Sequence, residues 1–100
     1  ASEGQRLTES LGQHPAMLLR NHGTLTVGRT IGEAYVLMAT LIKACEIQIA
    51  ALSATELHTP KQSVIQKAAD ELHDNGAEEG ILEWPALLRM LDRFDESYKE

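Results

Sequence analysis

Of the side chains able to do chemistry, the four histidines His14, His22, His58 and His73 come first. No two of them have the i, i+2 or i, i+4 spacing of a compact metal pair, so no local motif here builds a metal site. His14 precedes Pro15 in a turn, His58 lies just ahead of Thr59, and His73 falls at a helix C-terminus, where the dipole favours partial positive charge. His22 differs. It lies between Asn21 and Gly23 at a strand end, where side chains point into clefts and backbone can approach a ligand. Residue types and spacing leave two readings open there, a turn residue or an imidazole ligand.

The segment Gly23-Thr24-Leu25-Thr26-Val27-Gly28-Arg29-Thr30 matches the phosphate-loop pattern GxxxxGK[ST] except that Arg stands for Lys. A phosphate cradle needs a flexible backbone whose amides turn inward. Thr-Leu-Thr-Val is strand-forming and alternates polar with apolar, and Thr30 serves better as a helix cap, so a nucleotide site is rejected. Cys45 sits in an apolar helix beside Glu46, whose carboxylate does nothing to promote a thiolate, and it reads as a small hydrophobe. Trp84 and Tyr98 bracket the last helix, with packing as their default role. No Ser/His/Asp arrangement or paired-carboxylate motif stands out.

These residues are carried by a simple order of elements. Gln5 to Leu11 is helix-like and stops at Gly12, His14 and Pro15. Ala16 to Arg20 and Thr24 to Val27 read as two short strands separated by a polar kink at Asn21 to Gly23. Thr30-Ile31-Gly32-Glu33 has capping-box spacing and starts a helix running to about Ala54, whose few charges, Glu33, Lys43 and Glu46, do not share a face. At ~1.5 Å per residue that helix is about 36 Å long. A compact globule of this chain length has a diameter of about 33 Å, so the helix needs more protein around it. A second cap at Thr59-Pro60-Lys61-Gln62 predicts a helix with Val64, Ile65, Ala68, Ala69 and Leu72 in one stripe, ended by Asn75-Gly76. Trp84-Pro85 opens a last helix with Leu87, Leu88, Leu91, Phe94 and Tyr98 on one side.

Composition narrows the partners. The chain has 100 residues and a formal charge of −6, with 43% hydrophobic and 24% charged side chains, which suits part or all of one globular domain. No Lys/Arg cluster is present to bind phosphates, which argues against nucleic acid. The lone cysteine excludes an internal disulfide and agrees with a reducing, cytoplasmic setting. No signal peptide is visible, and Lys43 and Glu46 can pair within the apolar helix, so burial inside a larger subunit or oligomer is expected over a membrane. The opening Ala1-Ser2-Glu3-Gly4 runs straight into a helix without an initiator Met and reads as a cut end.

The run Leu18-Leu19-Arg20-Asn21-His22-Gly23-Thr24-Leu25-Thr26-Val27-Gly28-Arg29-Thr30-Ile31-Gly32-Glu33-Ala34 closely resembles the C-terminal half of the class II aldolase/adducin domain. Ala44-Cys45-Glu46-Ile47-Gln48 is similar to the adducin-related branch, and Trp84-Pro85-Ala86-Leu87-Leu88-Arg89 with Asp95-Glu96-Ser97-Tyr98 to bacterial members. The resemblance implies an α/β fold, residues 1–100 forming the C-terminal portion of one three-layer α/β/α domain: two short strands, one long buried helix and two amphipathic helices, with the N-terminal part missing. It also implies a homo-oligomer.

In catalytic members of that family a zinc ion is held by three histidines, two from an upstream His-x-His pair and one from Asn-His-Gly. His22 matches the third ligand, and this chain has no counterpart of the pair, of the acid that assists proton transfer, or of the substrate-phosphate loop. The implied cofactor is Zn2+ or another divalent metal, with its other ligands outside this chain. The implied substrate is a small hydroxy-carbonyl or sugar-phosphate-like compound, whose enediolate such a metal stabilises when a C–C bond breaks. The resemblance leaves two expectations: a metal-dependent lyase, or an adducin-head-like assembly module that keeps the fold without catalysis. No catalytic residue is assigned within the chain itself.

Overall fold

A computed structural model describes residues 2–54, 56–74 and 79–100, with the side chains of His73 and Asp74 left out. The elements are α1 (Glu3–Leu11), β1 (Ala16–Leu19), β2 (Gly23–Thr26), α2 (Ile31–Leu52), α3 (Gln62–Asp74), α4 (Glu83–Leu91) and a final 3-10 turn, Ser97–Lys99. This is the mixed α/β composition expected of an aldolase-like fragment.

Helix α1 begins two residues before the predicted start, because Ser2 and Gln5 form a reciprocal cap. The Ser2 hydroxyl accepts from the Gln5 amide at 3.3 Å, and the Gln5 side chain accepts from the Ser2 amide at 3.2 Å. Gly12 closes the helix at φ 56, donating its amide to the Thr8 carbonyl. The two strands pair antiparallel from Ala16↔Thr26 to Leu19↔Gly23, and a Val27 amide to Pro15 carbonyl bond of 2.9 Å ties the open end of the hairpin.

Helix α2 starts where the sequence places it. The Thr30 hydroxyl accepts from the Glu33 amide at 3.0 Å, but the Glu33 carboxylate reaches past the cap residue to the Arg29 amide, so half of the expected box forms. Thr30 thus acts as a cap and Gly23–Thr26 as a strand, which removes any phosphate-loop geometry from this segment. The first half of α2 lies on the hairpin, where the Thr26 hydroxyl donates to the Ala34 carbonyl (2.9 Å) and that of Thr24 contacts the Met38 sulfur (3.1 Å). The helix stops at Leu52, two residues early, because the Ser53 hydroxyl and amide both turn back onto the Ala50 carbonyl.

Gly80 brings α4 onto α2. It has φ +87, and an added Cβ would overlap the Gly32 carbonyl; these two glycines are the buried residues among those described. The Gly80 carbonyl accepts from the Trp84 amide at 2.9 Å, and Trp84 packs on Tyr35 with centroids 5.9 Å apart and planes tilted by 58°. Trp84 is therefore a packing residue. Helix α4 ends at Leu91, short of Phe94 and Tyr98, because the amides of Arg93 and Phe94 bond three residues back and break the α pattern. Helix α3 starts at Gln62, two residues beyond Pro60, with the Ile65 amide on the Lys61 carbonyl as an early i to i−4 bond. Its apolar stripe stays exposed except at the half-buried Ala69, with Leu72 at 69%. The expected Asn75-Gly76 stop lies outside the described residues.

No hydrophobic side chain among the described residues is fully buried. The chain exposes 8745 Å², whereas a compact monomer of this mass exposes about 5600 Å². Its radius of gyration is 16.9 Å, against about 13 Å for a compact globule of this length. The exposed apolar side chains are spread over the helices, with Ile31 72% and Ile49 70% exposed on α2, and Leu82 79% and Phe94 81% exposed at the two ends of α4. By length and composition α2 could cross a membrane, but its first half is already packed on the hairpin and α4.

Candidate functional site

Everything that sets the position of His22 lies in five residues. Leu19 and Gly23 are the last paired residues of the hairpin, and Arg20, Asn21 and His22 form the loop between them. The His22 amide donates to the Leu19 carbonyl at 3.1 Å, closing a four-residue turn. Asn21, third in that turn, has φ 59, and Gly23 has φ 128. Left-handed backbone suits Asn among the residues with side chains, and φ near 128 belongs to glycine, which explains why this tripeptide can turn so tightly. The His22 ring is exposed, with Nδ1 3.2 Å from the Arg20 carbonyl oxygen.

His14 and His58 do not join it, and the side chain of His73 lies outside the described residues. His14 lines an open cleft of about 430 Å³ at the opposite end of the hairpin, with Leu11, Val27, Arg29, Glu33 and Leu37. Strand rise alone puts that end roughly 10 Å from the tip. His58 is exposed in the segment before α3. Among the described residues, no three of His, Cys, Asp and Glu come together to hold a metal ion. Among the described residues, the hairpin tip thus offers a zinc site one imidazole donor, which fits one coordination position and requires the rest from elsewhere.

In the cleft Arg29 pairs with Glu33, and Glu79 adds a second carboxylate to its lining. Arg29 Nε lies 3.5 Å from Glu33 Oε2, and the Arg29 amide is the main reason that the Glu33 carboxyl is held below its usual range, against a smaller opposing effect of desolvation. At the end of the chain, the Tyr98 hydroxyl and then Lys99 hold the Asp92 carboxyl below the usual range; the Lys99 Nζ to Asp92 distance is 2.9 Å. Both groups are structural ties. Cys45 is half-buried in α2 with no disulfide, consistent with a packing role.

Residues 1–49, which span α1, the hairpin and most of α2, match the family described as Class II Aldolase and Adducin N-terminal domain. The chain belongs to the class II aldolase and adducin family. An adducin-related protein of Schizosaccharomyces pombe is 35% identical over 97% of this chain and 32% of its own length. A "putative aldolase class 2 protein" of Pseudomonas aeruginosa is 37% identical over 98% of this chain and 40% of its own length. Adducin-related protein 1 of Caenorhabditis elegans is 36% identical over 83% of this chain and 13% of its own length. The chain therefore spans about a third to two fifths of the first two class II aldolase/adducin relatives. No solved structure matches it.

Two features of this site were missed in sequence. The Gly32–Gly80 crossing depends on a contact between distant segments; the one local signal was a glycine inside the first turn of an apolar helix, where close backbone approach is the usual reason. The Arg20 acceptor is main chain, and no residue type announces it.

Proposed function

We propose that the full-length protein is a divalent-metal-dependent lyase of the aldol/retro-aldol type, acting on a small hydroxy-carbonyl compound as a cytoplasmic homo-oligomer, with His22 as one of its metal ligands. The reading is carried by His22, an exposed imidazole at a hairpin tip closed by its own amide, whose Nδ1 is within hydrogen-bond distance of the chain's own backbone. That is the donor chemistry one position of a three-histidine site requires. A zinc-type ion bound there would supply a Lewis acid that polarises the substrate carbonyl. This chain's part is to present the imidazole in a turn set by Asn21 and Gly23, the glycine adding no side chain beside it. The surplus apolar surface supports assembly with further protein, both the remainder of the polypeptide and a second subunit.

The second reading, an adducin-head-like assembly module, is favoured by the adducin-related relatives. Metal analysis of the purified full-length protein beside its His22→Ala variant separates them. The lyase reading expects about one metal per subunit, lost in the variant along with retro-aldol turnover while the circular dichroism spectrum is retained. A variant that keeps its metal, or a wild-type protein that binds none, refutes the metal-ligand role.

A further inference from the structure

We infer that Asn21 is a positioning residue which, through the Arg20 main-chain carbonyl, fixes His22 as the Nδ1–H tautomer, so that Nε2 is the atom offered to a metal; the functional meaning of this rests on the lyase reading above. The Arg20 carbonyl oxygen can only accept, so a hydrogen bond across the 3.2 Å that separates it from the ring nitrogen puts the proton on Nδ1. A neutral imidazole has one N–H, which leaves the lone pair on Nε2. The carbonyl of Arg20 belongs to the peptide unit shared with Asn21, and the left-handed φ of 59 at Asn21 turns the following residue, His22, back over that unit. The Leu19–His22 bond of 3.1 Å locks the same turn. The Arg20 side chain is exposed and takes no part, so its identity is free as far as this contact is concerned.

This separates residue 21 from residue 20 in a testable way. A β-branched residue at position 21 resists positive φ, glycine accepts it, and truncating the side chain at position 20 leaves the carbonyl in place. The experiment uses the full-length, metal-free protein labelled with 15N in its histidines, in mildly alkaline buffer where imidazoles are neutral. Long-range 1H–15N correlation spectra report the tautomer, and His22→Gln identifies the His22 signals. The expected results are an Nδ1–H ring in wild type, in Arg20→Ala and in Asn21→Gly, and loss of that preference in Asn21→Val. If Asn21→Val fails to fold, judged by circular dichroism, Asn21→Ala is read instead.

Cobalt(II) supplies a second readout through its visible absorption. Its affinity should fall about 10- to 100-fold in Asn21→Val, the usual effect of losing the partner that orients a ligating histidine, and recover in Asn21→Gly. An Nε2–H ring in wild type, or a tautomer indifferent to valine or alanine at position 21, overturns the inference. The two readings fail separately. Cobalt that binds through His22 while the ring is Nε2–H sinks the tautomer assignment and leaves the lyase reading standing. The predicted tautomer pattern without cobalt binding supports the positioning role of Asn21 and sinks the lyase reading.

Discussion

Replacing Gly80 with alanine tests the seat of α4 on α2. Its backbone sits at φ +87, where an alanine pays for left-handed geometry, about 1 to 2 kcal/mol. The new methyl would overlap the Gly32 carbonyl carbon and oxygen and come within 2.7 Å of the Glu33 amide nitrogen. All three are backbone atoms in the first turn of a capped helix, and none can rotate away, so an overpacking cost of about 1 to 3 kcal/mol adds to the first. The expected loss for Gly80→Ala in the full-length protein is therefore about 2 to 5 kcal/mol, read from the shift of the urea midpoint at constant slope. Gly4→Ala is the matched control: a Cβ there meets nothing within 4 Å, and in a helix the change should stabilise by up to about 1 kcal/mol. A loss below about 0.5 kcal/mol for Gly80→Ala would refute the close crossing, since that is the size of an ordinary surface substitution.

Three further outcomes are expected. Leu41→Ala, on the half-buried side of α2, should cost about 2 to 5 kcal/mol in the full-length protein if the rest of the polypeptide covers that helix, and a cost below about 0.5 kcal/mol would mark it as exposed. The isolated 100-residue chain should associate, because it exposes about 3000 Å² more than a compact monomer of its mass; sedimentation as a stable 11.0 kDa monomer would count against this. The Asp92–Tyr98–Lys99 tie should be acid-sensitive. The Asp92 carboxyl titrates below its ordinary value when folded, so the tie contributes fully above that value and is lost as pH falls through the lowered one. Tyr98 and Lys99 are raised, so their share is complete below their ordinary values and is lost as pH rises through the raised ones. The Tyr98 ring signals in an NMR titration should show the acid step, and Asp92→Asn should abolish it.

What the sequence disclosed was local. Gly12, Asn21, Gly23 and Thr30 act within four residues of themselves, so their stops, kink and cap were legible, as were both strands of a hairpin that pairs neighbours. Element ends were less so. Thr59 and Pro60 look like a helix start, yet α3 begins at Gln62, and the apolar spacing that carried α4 on to Phe94 and Tyr98 does not register that i to i−3 bonds from Arg93 and Phe94 interrupt the α pattern. Of the site, the sequence offered His22 and its flanking turn residues. It could not offer the partner of the ring, because a carbonyl is present at every residue and only the fold selects one. The seat of α4 was hidden for the complementary reason, since it is made by two residues that have no side chains.

The hairpin tip has a consequence for protein engineering. A turn closed by its own amide, a left-handed asparagine, a glycine and a ring against the Arg20 carbonyl form a unit from Leu19 to Gly23 whose turn contacts are all internal. Such a unit is transplantable: any antiparallel hairpin with a three-residue loop could receive Arg-Asn-His followed by glycine and display an imidazole at a preset angle. Facing tips could then be combined into metal sites on scaffolds unrelated to this one, with the geometry of each ligand inherited from five residues instead of designed anew.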